Sequence, residues 1–575
     1  MYITAIPNRG SPPAILLRES YREGGKVKSR TLANLTHWSP ERIEALRRAL
    51  KGEGGTGAGG TFTFTRSLPH GHVAAVLGTL KQLGLDVLLS SRRSRVRDLC
   101  VAMIVGWILE PGSKLTTAAR WREETAKDTT GRVLGIEGVV VDELYEALDW
   151  LLERQARVET ELARRHLTEG SLVLYDLTST WYEGRTCPLA RLGYNRDRKK
   201  GKLQVEFGVM ADVEGRPVGV EVFEGNTSDP KTLAVQIEKL RERFGIEHVV
   251  LVGDRGMITQ ARIREELAPV PGLEWITALR APAVHDLVRK GAFQLSLFDE
   301  RDLAEIAHPD YPGERLVVCR NPLLARERAR KRVDLLAATE RDLERVAEAV
   351  RRERNPLRGS AKIGLRLGRV LDRFKMAKHF ELHIGEDAFT WSRKEGSIAE
   401  ESALDGIYIL RTSVPADRMD APAVVRSYKA LTKVERLFRG MKISGLQVRP
   451  IRHRLEDRVR THIFLCVLAA YVEWHMRHDL APLLFDETDP EAAAAARASI
   501  VAPAKRSPAA RAKAATKKNE EGLPVQSFRS LLKDLGTLVR NRVEPADGAP
   551  PFDQDTVPTP LQARAFELLG VSPRL

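Results

Sequence analysis

The chain has 575 residues, enough for several hydrophobic cores, so two to four domains are expected. Its 92 Lys and Arg outnumber 77 Asp and Glu, and the net charge of +15 favours a polyanionic partner, nucleic acid before a membrane surface. Four scattered cysteines without a CxxC pair exclude a disulfide scaffold and a thiolate zinc site, and the most apolar run, Ile463–Val472, is far short of the ~20 residues that cross a bilayer.

The N-terminal MYITAIPNRGSPP lacks the apolar core of a signal peptide, so a cytoplasmic protein with no membrane contact is expected. Residues 1–60 hold a hairpin, AILLRESYREGGKVKSRTLA, turned at Gly-Gly, followed by a Gly-rich linker over Lys51–Gly60. Residues 61–170 show apolar positions at helical spacing and read as a helical DNA-binding region, with Arg92, Arg93, Arg95 and Arg97 before one helix.

From 171 to 280 the pattern becomes β-β-β-α-β-α-β. That order departs from the strict alternation of a doubly wound parallel sheet. It predicts an α/β fold with a mixed five-stranded sheet whose first three strands are antiparallel, as in a ribonuclease-H-like core. Residues 281–400 interrupt it as an insertion with short strands and one long charged helix at 323–353. The core resumes over 401–484, with a strand at 406–413 and a single helix at 422–442. Residues 485–522 are Ala/Lys/Arg/Pro-rich, with six basic residues and no acid over 501–518, and read as a flexible basic linker. The last stretch, 523–575, is expected to be at most a small helical appendage.

Three carboxylates stand out. Asp176 follows the apolar LVLY and Asp254 follows VVLV, so both sit at strands where an unpaired charge is costly. Glu435 lies on the 422–442 helix, where Tyr428, Glu435 and Lys442 recur every seven residues and share one stripe. Singly, each has an ordinary reading: a strand end, a turn residue, a surface glutamate paired with Arg439. Together, two strand-borne Asp and one helix-borne Glu match a two-metal phosphoryl-transfer site, with two Mg²⁺ (or Mn²⁺) ions about 4 Å apart. Oxygen donors without His or Cys suit such hard cations.

The chain resembles the DDE transposases of the IS4-like group, most closely the IS1634 type. The segments that carry this are YDLTSTWYEG, LGYNRDRKKGKLQVEFGVMAD, FEGNTSD, VGDRGM and RPIRHRLEDRVRTHIFLC, with Tyr428, Glu435 and Lys442 in the spacing of the group's Y-(2)-R-(3)-E-(6)-K signature. Leu431 stands where that signature has arginine, and Arg436 or Arg439 is the substitute. The resemblance spans roughly residues 10–480. It implies Asp176, Asp254 and Glu435 as catalytic metal ligands, a mostly β insertion between the second Asp and the Glu, and cut-and-paste transposition. It also implies binding to terminal inverted repeats and target DNA, and a homodimer in a paired-end complex. The location implied is the bacterial cytoplasm, at the nucleoid when DNA-bound.

The loop 185–202 has seven Lys/Arg against one Asp and reads as a DNA-backbone clamp through Arg196, Arg198, Lys199, Lys200 and Lys202. Arg255, Arg439, Arg449 and Arg452, with Tyr428 and Lys442, complete the expected DNA contacts. Trp181, Trp275 and Trp391 are candidates to hold a flipped base, although a core position is the ordinary reading for each. Two other functions stay open: a nuclease on the same fold that cleaves without joining, and a non-catalytic DNA-binding protein derived from a transposase.

Overall fold

The computed structural model describes residues 1–8, 11–51, 62–194, 196–197, 199, 201–293, 302–497, 499–501, 505–546 and 549–575. The Gly-rich stretch after Lys51, together with Arg198 and Lys200, lies outside them. The chain forms two compact units. One comprises Met1–Pro69 with Leu538–Val557, the other His70–Thr537 with Pro558–Leu575.

In the first unit, Tyr2–Asn8, Ser11–Glu23 and Lys26–Asn34 form an antiparallel three-stranded sheet. Gly24 and Gly25 close its second hairpin with φ of 57° and 78°, the left-handed pair that a two-residue turn demands. Helix Pro40–Leu50 follows, capped by Ser39, whose Oγ accepts from the Arg42 N–H. A second three-stranded sheet joins Phe62–Pro69 to Val539–Pro545 and Phe552–Asp555. The C-terminal stretch is therefore not only a helical appendage: its strand Val539–Pro545 pairs with residues 470 or more positions upstream, and Phe552–Asp555 pairs with that strand in turn. Such pairing leaves no local trace in sequence.

The second unit is built on an eight-stranded sheet. Its order is Leu303–Ile306, Arg315–Arg320, Ile407–Thr412, Leu273–Ala278, Val249–Gly253, Ser171–Tyr182, Leu203–Ala211, Pro217–Glu224. The strands from 171 to 224 are an antiparallel meander, and 249–253 and 273–278 then add in parallel. Three further strands extend the expected five: Ile407–Thr412, expected at 406–413 where the core resumes, and Leu303–Ile306 and Arg315–Arg320, which come from the 281–400 stretch. Leu316, Val317 and Val318 are fully buried, and a short apolar run of this kind does not reveal which sheet it joins.

The long helix Glu456–Asp479 is apolar on nearly every side and is buried among Arg95–Leu109, Val141–Leu152 and the edge strand Pro217–Glu224. Among the described residues no single helix is long and apolar enough to cross a membrane.

The 281–400 stretch is not mostly β. Besides the strands Leu303–Ile306 and Arg315–Arg320 that join the large sheet, its described residues contain helices Pro322–Arg351 and Ser360–Phe374 and a two-stranded ribbon, Phe380–Ile384 with Phe389–Arg393. Leu336, Leu343, Val346, Ile363, Leu367, Phe380 and Phe389 give these elements a core of their own. Residues 485–522 also depart from a flexible linker. They hold helices Pro490–Ala495 and Pro508–Thr516, and Val501 and Ala510 are buried. Lys513 donates to the carbonyls of Ala481 and Asp486 at 2.8 and 2.9 Å, which anchors a segment whose composition alone promised nothing.

Candidate active site

Asp176 lies in the middle of the central sheet. The parallel register between its strand and Val249–Gly253 ends at Tyr175 opposite Gly253, so Asp176 and Asp254 are the next residues on neighbouring strands. Asp254 opens a tight turn, its carbonyl accepting from Met257 and Ile258 at 3.0 Å, and its side chain is exposed. Turn residue and strand-edge carboxylate are thus both correct descriptions.

Glu435 comes from a different direction. The expected single helix is two, Ala421–Lys429 and Leu431–Arg439, broken at Ala430 and followed by a wide turn over Gly440–Ser444. Tyr428, Glu435 and Lys442 therefore sit on three successive pieces. Val434 and Phe438 are buried, Phe438 against Phe207 of the sheet, and the Leu431–Arg439 helix packs on the Asp176 strand. Leu431 is buried in that contact, and Arg436 and Arg439 are exposed.

Electrostatics link the three acids. Burial pushes the Asp176 carboxyl up to about 7; the Leu177 N–H, donating at 2.8 Å, opposes the rise, and the charges of Asp254 and Glu435 add to it. Tyr428 is raised by burial and then by the same carboxylates, Asp254 before Glu435 and Asp176. Among the described residues no three His, Cys, Asp or Glu side chains form a ready-made metal cage. The donor set nonetheless fits a divalent ion. It is all oxygen, and its innermost member is held toward the neutral form by burial and two like charges, which a cation would reverse.

Two further acids escaped the sequence. Asp229 pairs with Arg196 at 2.5 Å, and a Cβ built on Gly256 would lie 3.6 Å from both Asp229 Oδ2 and Asp254 Oδ2. Gly256 therefore faces the gap between those two carboxylates. Glu206, 2 % exposed, lies 3.5 Å from Arg196 without a hydrogen bond to it. Burial raises its carboxyl to about 7 and outweighs that cation, which Asp229 shares. The segment FEGNTSD contained Asp229, but an Asp before Pro at a helix start reads as a cap.

The expected DNA contacts divide. Lys199, Lys202, Arg255, Arg439 and Arg452 are exposed. Arg196 is tied to Asp229 and Glu206, and Arg449 to Asp197. Lys442 is no surface lysine: its Nζ donates to Thr178 Oγ1 at 2.6 Å and the Ser179 carbonyl at 2.5 Å, and lies 3.4 Å from Asp197 Oδ1. Of the basic cluster before helix Arg95–Leu109, Arg93 and Arg97 pair with Asp98 and Arg95 with Glu143. Trp275 is buried with its N–H toward Glu314, Trp391 packs edge-on against Phe380, and Trp181 lies under the Arg449 guanidinium.

The three acids thus stand on two neighbouring strands of a mixed sheet and on a helix packed against it. The family described as "Transposase DDE domain" matches residues 184–472, half of the chain, and "IS1634 family transposase, N-terminal domain" matches residues 3–59. The chain belongs to the DDE transposases, and its N-terminal residues match the N-terminal domain of the IS1634 family. It is an insertion-sequence DNA transposase that catalyses DNA cleavage and strand transfer, with the divalent-metal dependence of that domain. Asp254 and Glu435 fall inside the matched DDE region and Asp176 precedes it by eight positions. A piggyBac transposase synaptic complex with hairpin DNA is similar over 81% of this chain and 76% of that one, at 10% identity and TM-score 0.32. A likeness that low assigns neither fold nor residues. No curated protein matches the chain.

Proposed function

We propose that Asp176, Asp254 and Glu435 are the catalytic carboxylates of a ribonuclease-H-like core. They would release a 3′-OH at each terminal inverted repeat and join it to target DNA in a cut-and-paste reaction. The observation that carries this is the placement of the acids: Asp176 and Asp254 directly follow the last paired residues of two neighbouring parallel strands, and the helix bearing Glu435 packs on the Asp176 strand. Bound Mg²⁺ or Mn²⁺ would neutralise them and stabilise the charge that builds on the phosphoryl oxygens. The chain's own residues do the rest. Asp176, fixed by the Leu177 N–H, orients one side of the site. The Phe207–Phe438 contact holds the helix that brings Glu435 to the other. Exposed Lys199, Lys202, Arg255, Arg439 and Arg452 line the approach for phosphates.

Residues 1–170 are read as the region that recognises the ends, since the basic hairpin and helices there present groove-sized elements. Two ends must be processed together, so the working form is a homodimer in a paired-end complex on double-stranded DNA, in the bacterial cytoplasm. The test is incubation of the full chain with a labelled duplex bearing the element's terminal repeat, a target plasmid and Mg²⁺. Cleavage with joined products supports transposition; cleavage without joining would make the protein a nuclease.

A further inference from the structure

Asp197 is the single acid in the basic loop 185–202, and its carboxylate sits between two cations beside the Asp176 strand. Oδ2 takes the Arg449 guanidinium and Oδ1 lies 3.4 Å from the Lys442 ammonium. All three side chains are largely enclosed, with 13 %, 18 % and 8 % of Asp197, Arg449 and Lys442 exposed. The preceding residue turns the other way. Arg196 places its charge on Asp229 and Glu206, within the field of Asp176. Adjacent residues of opposite sign thus neutralise the two halves of the site, the cations and the acids.

A carboxylate bridging an ammonium and a guanidinium presents two anionic oxygens on one atom. The non-bridging oxygens of a phosphodiester do the same. Lys442 is already aimed, because Thr178 Oγ1 and the Ser179 carbonyl fix two of its three N–H groups. The Arg449 guanidinium lies over the Trp181 ring, 5.8 Å from its centroid.

We propose that Lys442 and Arg449 form a phosphate-binding pocket that Asp197 fills in the DNA-free protein, so that DNA must displace an internal phosphate surrogate. This rests on the reading that DNA is bound at this site. The competition makes idle association with arbitrary DNA weaker than the loop's charge would give.

The test compares the full-length parent, Asp197→Asn and Asp197→Glu by fluorescence anisotropy with a labelled mixed-sequence duplex across a salt series. Asp197→Asn should bind about tenfold tighter, and its log–log salt slope should steepen by about 1–2, because up to two cations are freed for phosphates. Asp197→Glu should bind like the parent, and adding Lys442→Ala to Asp197→Asn should cancel the gain. Should Asp197→Asn not fold, Asp197→Ser carries the same comparison. A neutral, folded variant with unchanged affinity and slope would overturn the inference and make Asp197 a structural pin. If no protein, parent included, bound DNA at low salt, the DNA-binding reading itself would fall.

Discussion

Phe438 meets Phe207 edge-on, with ring centroids 5.7 Å apart and planes at 90°. This contact fastens the helix bearing Glu435 to the strand paired with that of Asp176. Such edge-to-face geometry is favoured by the ring quadrupoles, and both rings are buried. Phe438→Ala should lower stability by about 3 kcal/mol through lost burial and the cavity left behind. It should also slow DNA cleavage, whereas Phe438→Leu should do less of both. Denaturant unfolding followed by a cleavage assay at a permissive temperature reads the two effects; a Phe438→Ala protein with parental stability would contradict the role given to the contact.

Glu314 and Arg411 form a buried pair next to the Trp275 indole, each side chain 4 % exposed. Removing one charge strands the other away from water. Glu314→Gln or Arg411→Met should each destabilise by about 3–5 kcal/mol, while the double change should recover part of the loss. Additive losses in a double-mutant cycle would show that the two residues do not act as a pair.

Glu206 gives a pH signature. Burial raises its folded pKa to about 7 from an ordinary 4.5, so the folded chain keeps a proton that the unfolded chain has released between those values. Stability from this group is therefore lost as pH rises from about 4.5 to 7, because the native state binds more protons there. Glu206→Gln removes that dependence. Its thermal midpoint relative to the parent should be higher at pH 8 than at pH 5, and an equal difference at both would show Glu206 to be ionised throughout.

Much of the core was legible because its strands carry strong local signals. VLYD and VVLVGD are apolar runs ending in an acid, and the meander's hairpin spacing set the antiparallel order. What escaped was non-local. The pairing of Phe62–Pro69 with Val539–Pro545 spans most of the chain, and LVVCR at 316–320 reads equally well in an insertion or a core. The 422–442 stretch reads as one helix because only Gly440, near its end, disfavours one, yet the hydrogen-bonding pattern changes at Ala430 and again from Gly440. At the site, the three acids stand out only as a set and through the family resemblance, since singly they read as a strand end, a turn residue and a surface glutamate. Asp229, Glu206 and Asp197 do not stand out, since each matters only through partners distant in sequence.

The basic loop carries a prediction about DNA affinity independent of its acid. Replacing Arg198, Lys199 and Lys200 together by Ala should weaken binding to every duplex and flatten the salt slope by up to about 3. Loss of sequence preference without a change in slope would mean that these residues read bases.

The central claim, that Asp176, Asp254 and Glu435 act as one metal-dependent catalytic set, is tested most directly by cleavage of terminal-repeat DNA in Mg²⁺ by Asp176→Asn, Asp254→Asn and Glu435→Gln. Each change keeps the side chain's shape and removes the charge that a divalent ion needs. All three proteins should bind the DNA as the parent does and leave it uncut. Cleavage near the parental rate by any one of them would remove that residue from the site and contradict the account.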